Sequence, residues 1–105
     1  MNHDKAIQEY KEHLLQCLGN NLIYVKLFGS VARGTDTPES DIDVLVLLKR
    51  KDQFIKDAIF DETVKINLAH DVVIAPIIMV QQDYETPHFR ETGFYKAIDQ
   101  EGILL

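Results

Sequence analysis

The sequence predicts an α/β (α+β) domain with one small mixed β-sheet packed against helices. Three observations carry that prediction. Short apolar runs recur at Leu22–Phe28, 41–48 and 71–80, each of strand length. Stretches with apolar residues at helical spacing precede, separate and follow them. The stretch between the second and third runs is long enough to carry the chain back across the sheet, so those two strands should run parallel.

Taken in order, Ile7, Tyr10, Leu14, Leu15, Cys17 and Leu18 recur at helical spacing over Asp4–Leu18, and Gly19 stops that helix. Asn20-Asn21 turn the chain into LIYVKLF, a buried strand by its β-branched and aromatic content. Gly29-Ser30 ends it. Residues 30–34 suit one helical turn, with Ser30 as its cap and Gly34 as its exit. Pro38 marks 35–40 as loop. DIDVLVLL, 41–48, is the second strand, with carboxylates at its head. Lys49 to Lys51 form a basic turn. Residues 52–70 read as a helix, with Phe54, Ile55, Ala58, Ile59, Ile66 and Ala69 toward one side. DVVIAPIIMV, 71–80, is the third strand, and Pro76 assigns it to a sheet edge. Pro87 is expected in a loop, 89–100 in the last helix, and 103–105 in a short closing strand.

A chain of 105 residues is one domain, long enough to bury about two thirds of its unfolded surface. Eleven basic against 17 acidic residues leave a net charge of −6, which argues against stable nucleic-acid binding. A lone cysteine, Cys17, forms no internal disulfide and builds no zinc site. The charged N-terminus does not read as a signal peptide, and no apolar run has the length of a membrane span. The expectation is a reduced, cytoplasmic, acidic single domain over 1–105.

Chemistry concentrates at Gly29-Ser30 and Asp41-Ile42-Asp43. Alternate residues of a strand share a face, so Asp41 and Asp43 point the same way, about 6–7 Å apart. Two such carboxylates repel, and a hard divalent cation removes that penalty; all-oxygen ligands select Mg²⁺ or Mn²⁺. Gly29 permits close backbone approach, and the free amides of the turn opened by Ser30 favour an anion. Antiparallel pairing of the first two strands sets this cradle beside the carboxylates, as phosphoryl or nucleotidyl transfer requires. Parallel pairing of the next strand brings Asp71, at its expected head, to the same end.

Gly29-Ser30-Val31-Ala32-Arg33-Gly34 followed by Ser40-Asp41-Ile42-Asp43 resembles the signature of the DNA-polymerase-β-like nucleotidyltransferase superfamily. The likeness is to its minimal, MNT-type branch, with Gly-Ser, ten residues, then Asp-x-Asp. FYKAIDQEGILL at the end of the chain is similar to the last helix and Glu-Gly-apolar tail of that branch. The resemblance implies the nucleotidyltransferase fold, with Gly29 and Ser30 holding nucleotide phosphates. It makes Asp41 and Asp43 the metal ligands and Asp71 a third carboxylate that also helps activate the acceptor hydroxyl. Arg33 would join them as a bidentate phosphate donor.

The resemblance further implies ATP as substrate with two Mg²⁺ ions (or Mn²⁺), and a helical HEPN-type protein as partner in a toxin–antitoxin pair. The expected reaction is AMP transfer to a tyrosine of that partner, within a homo- or hetero-oligomer and away from membranes. The competing reading is a non-catalytic nucleotide-binding or scaffold module that neutralises a helical partner. A third is transfer to a small molecule such as an aminoglycoside. Outside the motif, His3, His13, His70 and His88 are scattered and read as surface residues, with His70 beside Asp71. Cys17 reads as core, and Phe89, Phe94 and Tyr95 as core or interface.

Overall fold

The computed structural model describes residues 3–105. Helix α1, Asp4–Leu18, buries Ala6, Ile7, Tyr10 and Leu14 along one stripe and ends where Gly19 takes φ +54° and its amide bonds Leu15 O. A 3₁₀ turn, Gly19–Asn21, leads into β1, Leu22–Phe28. A five-residue helix α2, Gly29–Arg33, stops at Gly34 in the left-handed region. Strand β2, Ile42–Leu48, is buried over nearly its whole length. Helix α3, Gln53–His70, is capped by Asp52, whose Oδ1 accepts the Ile55 amide at 2.8 Å. Strand β3, Ile74–Val80, is followed by three short helices, α4 (Gln81–Tyr84), α5 (Pro87–Arg90) and α6 (Gly93–Glu101), and by β4, Ile103–Leu104.

The sheet order is β3-β2-β1-β4. Strand β1 runs antiparallel to β2 and β4, and β2 runs parallel to β3, so the sheet is mixed as expected. Two cores result, one per face. Val25, Leu27, Val44, Val46 and Leu48 pack beneath α1 and α3 with Tyr10, Leu14, Ile59 and Ile66. On the other face Leu45 and Leu47 meet Tyr84 and Ile98, with Phe28, Phe89 and Tyr95 around them. Central β2 is buried on both faces, which explains why its sequence is a continuous apolar run rather than an alternating one.

Several expectations are corrected. The third strand begins at Ile74, not residue 71, because Asp71 closes α3 in the left-handed conformation, φ 53° and ψ 50°. The single last helix is two helices: the Thr86 and Thr92 hydroxyls accept the Phe89 and Tyr95 amides and start separate segments. Pro87 opens α5 instead of lying in a loop, since a first-turn residue needs no amide hydrogen. Cys17 is exposed and its Sγ lies 3.6 Å from Glu62 Oε1. His3 is only 5% exposed, with Nε2 at 3.3 Å from Asp36 Oδ2, an ion-pair distance without hydrogen-bond geometry. His13 and His70 are brought together by carboxylates: His13 Nδ1 lies 2.9 Å from Glu62 Oε2, and His70 Nε2 lies 2.5 Å from Glu9 Oε2. Pro76 does lie in an edge strand.

Candidate active site

Strand β1 leaves the sheet at Phe28, whose cross-strand partner on β2 is Asp43. Directly opposed residues of an antiparallel pair share a face, so Phe28 and Asp43 flank one another. The next residue, Gly29, takes φ +77° to start α2. A β-carbon there would stand 2.2 Å from Asp43 Oδ2 and 3.1 Å from its Cγ. Glycine is therefore demanded twice, by the backbone conformation and by the carboxylate leaning across it. The Gly-Ser half of the motif and the Asp-x-Asp half are in van der Waals contact.

Asp41 is exposed and precedes β2; Asp43 is half-buried within it. Desolvation and the Asp41 charge push the Asp43 carboxyl above the usual range, and the Arg33 guanidinium pulls it back part of the way. Arg33 Nη1 also donates to Glu101 Oε2 at 2.9 Å, tying α2 to the end of α6. Ser30 O accepts the Thr35 amide at 3.0 Å, which fixes the exit of α2 and leaves the Ser30 hydroxyl at the start of the turn. Asp43, Gly29 and Ser30 are thus gathered at one end of the β1–β2 pair, with Asp41 and Arg33 within electrostatic reach.

Asp71 stands differently. In the parallel register, Asp43 lies beside Ala75, and the Ile42 amide donates to Val73 O at 2.8 Å. The residues level with the two carboxylates are therefore Val73, just before β3, and Ala75 within it. Asp71 precedes them, exposed, as the C-cap of α3. Among the described residues no three His, Cys, Asp or Glu side chains group as a metal cage. The donor set that does form, the Asp41 and Asp43 carboxylates beside the Gly29-Ser30 turn, fits Mg²⁺, which is bound by one or two carboxylates completed by phosphate oxygens and water. Beside it lies an aromatic pair that the sequence does not signal: Phe28, the cross-strand partner of Asp43, packs edge-to-face on Phe94 at 5.4 Å between ring centroids.

Comparison with known proteins identifies the family and the fold. A family model described as nucleotidyltransferase domain matches residues 7–100. Two proteins of Methanocaldococcus jannaschii, each named "Putative protein adenylyltransferase", are similar in sequence. One is 41% identical over 80 residues, covering 70% of this chain and 76% of its own length. The other is 31% identical over 105 residues, covering 100% and 99%. Among solved structures, one described as a "putative minimal nucleotidyltransferase" superposes with a TM-score of 0.61 at 22% identity, over 100% of this chain and 97% of that one. A chain from the complex of tri-AMPylated Shewanella oneidensis HEPN toxin with MNT antitoxin superposes with a TM-score of 0.51 at 18% identity, covering 92% and 69%. By family model, by sequence and by fold, the chain belongs to the nucleotidyltransferases.

Proposed function

We propose that the chain transfers AMP from ATP to a hydroxyl of a partner protein, in the manner of an antitoxin acting on a tyrosine of a HEPN-type toxin. The observation that carries this reading is the contact of Gly29 with Asp43, which joins the Gly29-Ser30 turn to a carboxylate held above its ordinary range by desolvation and, next, by the Asp41 charge. Gly29 and the Ser30 hydroxyl would hold the nucleotide phosphates, and Asp41 and Asp43 two Mg²⁺ ions or Mn²⁺. The cation supplies charge neutralisation at the α-phosphorus and the leaving pyrophosphate. Arg33, already oriented by Glu101, would donate to a phosphate oxygen. In the transfer the acceptor oxygen forms the new bond to the α-phosphorus, the bond to pyrophosphate breaks, and the hydroxyl proton passes to Asp71 or to solvent. The named relatives and the toxin–antitoxin neighbours support this acceptor class. The acidic charge suits a protein partner, and no helix of the described residues is long and apolar enough to cross a membrane. A cytoplasmic setting suits the lone thiol.

The test is the intact mass of a HEPN-type partner after incubation with the chain, ATP and Mg²⁺. The expected result is the addition of AMP units, lost in Asp43→Asn and reduced in Asp71→Asn. One observation favours the second reading, a binding module without catalysis: the residues level with the two carboxylates are Val73, just before β3, and Ala75 within it. A partner that is inhibited yet unmodified by wild type and Asp43→Asn alike decides for that module.

A further inference from the structure

We propose that the outer face of α3 beside the free edge of β3 is a docking surface for an amphipathic, basic helix of a partner protein. Phe60, Val64 and Leu68 recur every fourth residue and are 65%, 39% and 81% exposed. They form a continuous apolar stripe about 12 Å long on a helix whose opposite face is already buried. At its N-terminal end the stripe opens into a groove of about 390 Å³ between α3 and β3, lined by Ile59, Phe60, Pro76 and Ile78 with Lys56 and Asp57 at the rim. One clustered apolar strip of this kind marks an interaction site, where scattered exposed residues would not.

The form of the occupant follows from the backbone. Because the Ile42 amide donates to Val73 O, the odd-numbered residues of β3 face β2 and the even-numbered ones face outward. Of those outward positions, Pro76 has no amide hydrogen, and the Ile74 amide is taken by Asn67 Oδ1 at 2.8 Å. An added strand would lose two consecutive donors, so the edge refuses strand addition. A helix lying along the groove uses side chains only and meets no such loss. The sign of its charge follows from the rim. Against the exposed Lys56 at the groove mouth, Asp57 (which also accepts from Gln53 Nε2 at 2.8 Å) and Asp61 flank the stripe on its outer side and Asp71 stands beyond its C-terminal end, all exposed, while the outward carbonyls of Ile74 and Pro76 also accept. Lys65 is engaged with Glu62 at 3.4 Å. Lysine or arginine flanking the partner's apolar face meets these acceptors, whereas a second copy of a chain with net charge −6 brings like charge. The assignment rests on this surface alone and stands whether or not the chain transfers AMP.

The probe is a synthetic helix of about 18 residues with leucine at positions i, i+3, i+4 and i+7 and lysine on its flanks. A second peptide carries glutamate in place of lysine. Amide-resolved NMR titration of the full chain should show the basic peptide perturbing residues 56–68 and 76–78, with the acidic peptide at least about tenfold weaker. Phe60→Glu and Leu68→Glu, both at exposed positions, should each weaken the basic peptide about tenfold while the thermal midpoint stays within error of wild type. Equal binding of both peptides, perturbations centred elsewhere, or binding untouched by both variants overturns the proposal. So does a concentration-dependent dimer in sedimentation that Phe60→Glu dissolves, since a second copy would then be the occupant.

Discussion

Asp43 carries opposed demands, and its neighbours show how they are met. Its carboxyl is held above the ordinary range by desolvation and by Asp41, so in the cation-free protein the folded state binds this proton more tightly than the unfolded chain. Stability therefore falls as pH rises from the unfolded value through the raised one, and at neutral pH the ionised group is a net cost. Asp43→Asn should raise the melting temperature of the cation-free protein by roughly 2–4 °C, for about 0.5 kcal/mol after solvent screening of a half-buried group. Wild type should gain stability on Mg²⁺ or Mn²⁺ titration and the variant should not, as differential scanning fluorimetry with and without ATP will show. Gly29→Ala is the complementary test. The added methyl is strained at φ +77° and lands 2.2 Å from Asp43 Oδ2, the far end of a side chain that can rotate away. A stability loss of about 1–2 kcal/mol by denaturant titration is expected, with a much larger fall in Mg²⁺-ATP affinity because the displaced carboxylate no longer faces the cradle.

Among the elements, what was legible in the sequence is what depends on short-range spacing. Strands β1 and β2, α3 and the Gly29–Ser30 to Asp41–Asp43 juxtaposition follow from apolar runs, one glycine-serine pair and a connection too short for anything but an antiparallel return. Asp71 was misplaced because a non-glycine residue in the left-handed region leaves no spacing signal: it extends the helix-ending turn and delays β3 to Ile74. The break between α5 and α6 was equally silent, since Thr92 caps a helix by a hydroxyl that periodicity does not register. The edge of β3 was half legible. Pro76 announced it, but the capping of the Ile74 amide by Asn67 depends on a contact seven residues away. Restoring both edge donors with Asn67→Ala and Pro76→Val should create strand-pairing sites, seen as concentration-dependent association in light scattering that neither single variant reaches. On the same strand, Ala75 lies level with Asp43. Ala75→Asp should tighten Mn²⁺ binding in calorimetry by supplying a third oxygen ligand, and should destabilise the protein when no cation is present.

For the whole molecule, the two faces of the sheet are closed by different physics. The face bearing Leu45 and Leu47 is covered by aromatic packing that ends at Phe28, and the candidate site lies at that end of the sheet. The other face is closed by α1 and α3 together, and the attachment of α1 to α3 is partly polar. Tyr10 Oη lies 2.7 Å from Thr63 Oγ1, His13 and His70 bridge Glu62 and Glu9, and Cys17 adds a weak thiol contact to Glu62. Glu62 is buried, which would raise its carboxyl, yet hydrogen bonds from His13, Cys17 and Lys65 outweigh that and hold it below the usual carboxylate range. For a lowered carboxylate the unfolded chain binds the proton more tightly, so the stabilisation is complete above the unfolded value and drains away as pH falls through the folded one. Acid should therefore loosen α1 from α3 before it touches the apolar core. Glu62→Gln should cost about 1–3 kcal/mol at pH 7, and the gap to wild type should close in strongly acidic solution, where Glu62 is protonated in both states. Urea denaturation at the two pH values measures this. A gap that persists in acid would mean that Glu62 holds α1 by shape and not by charge.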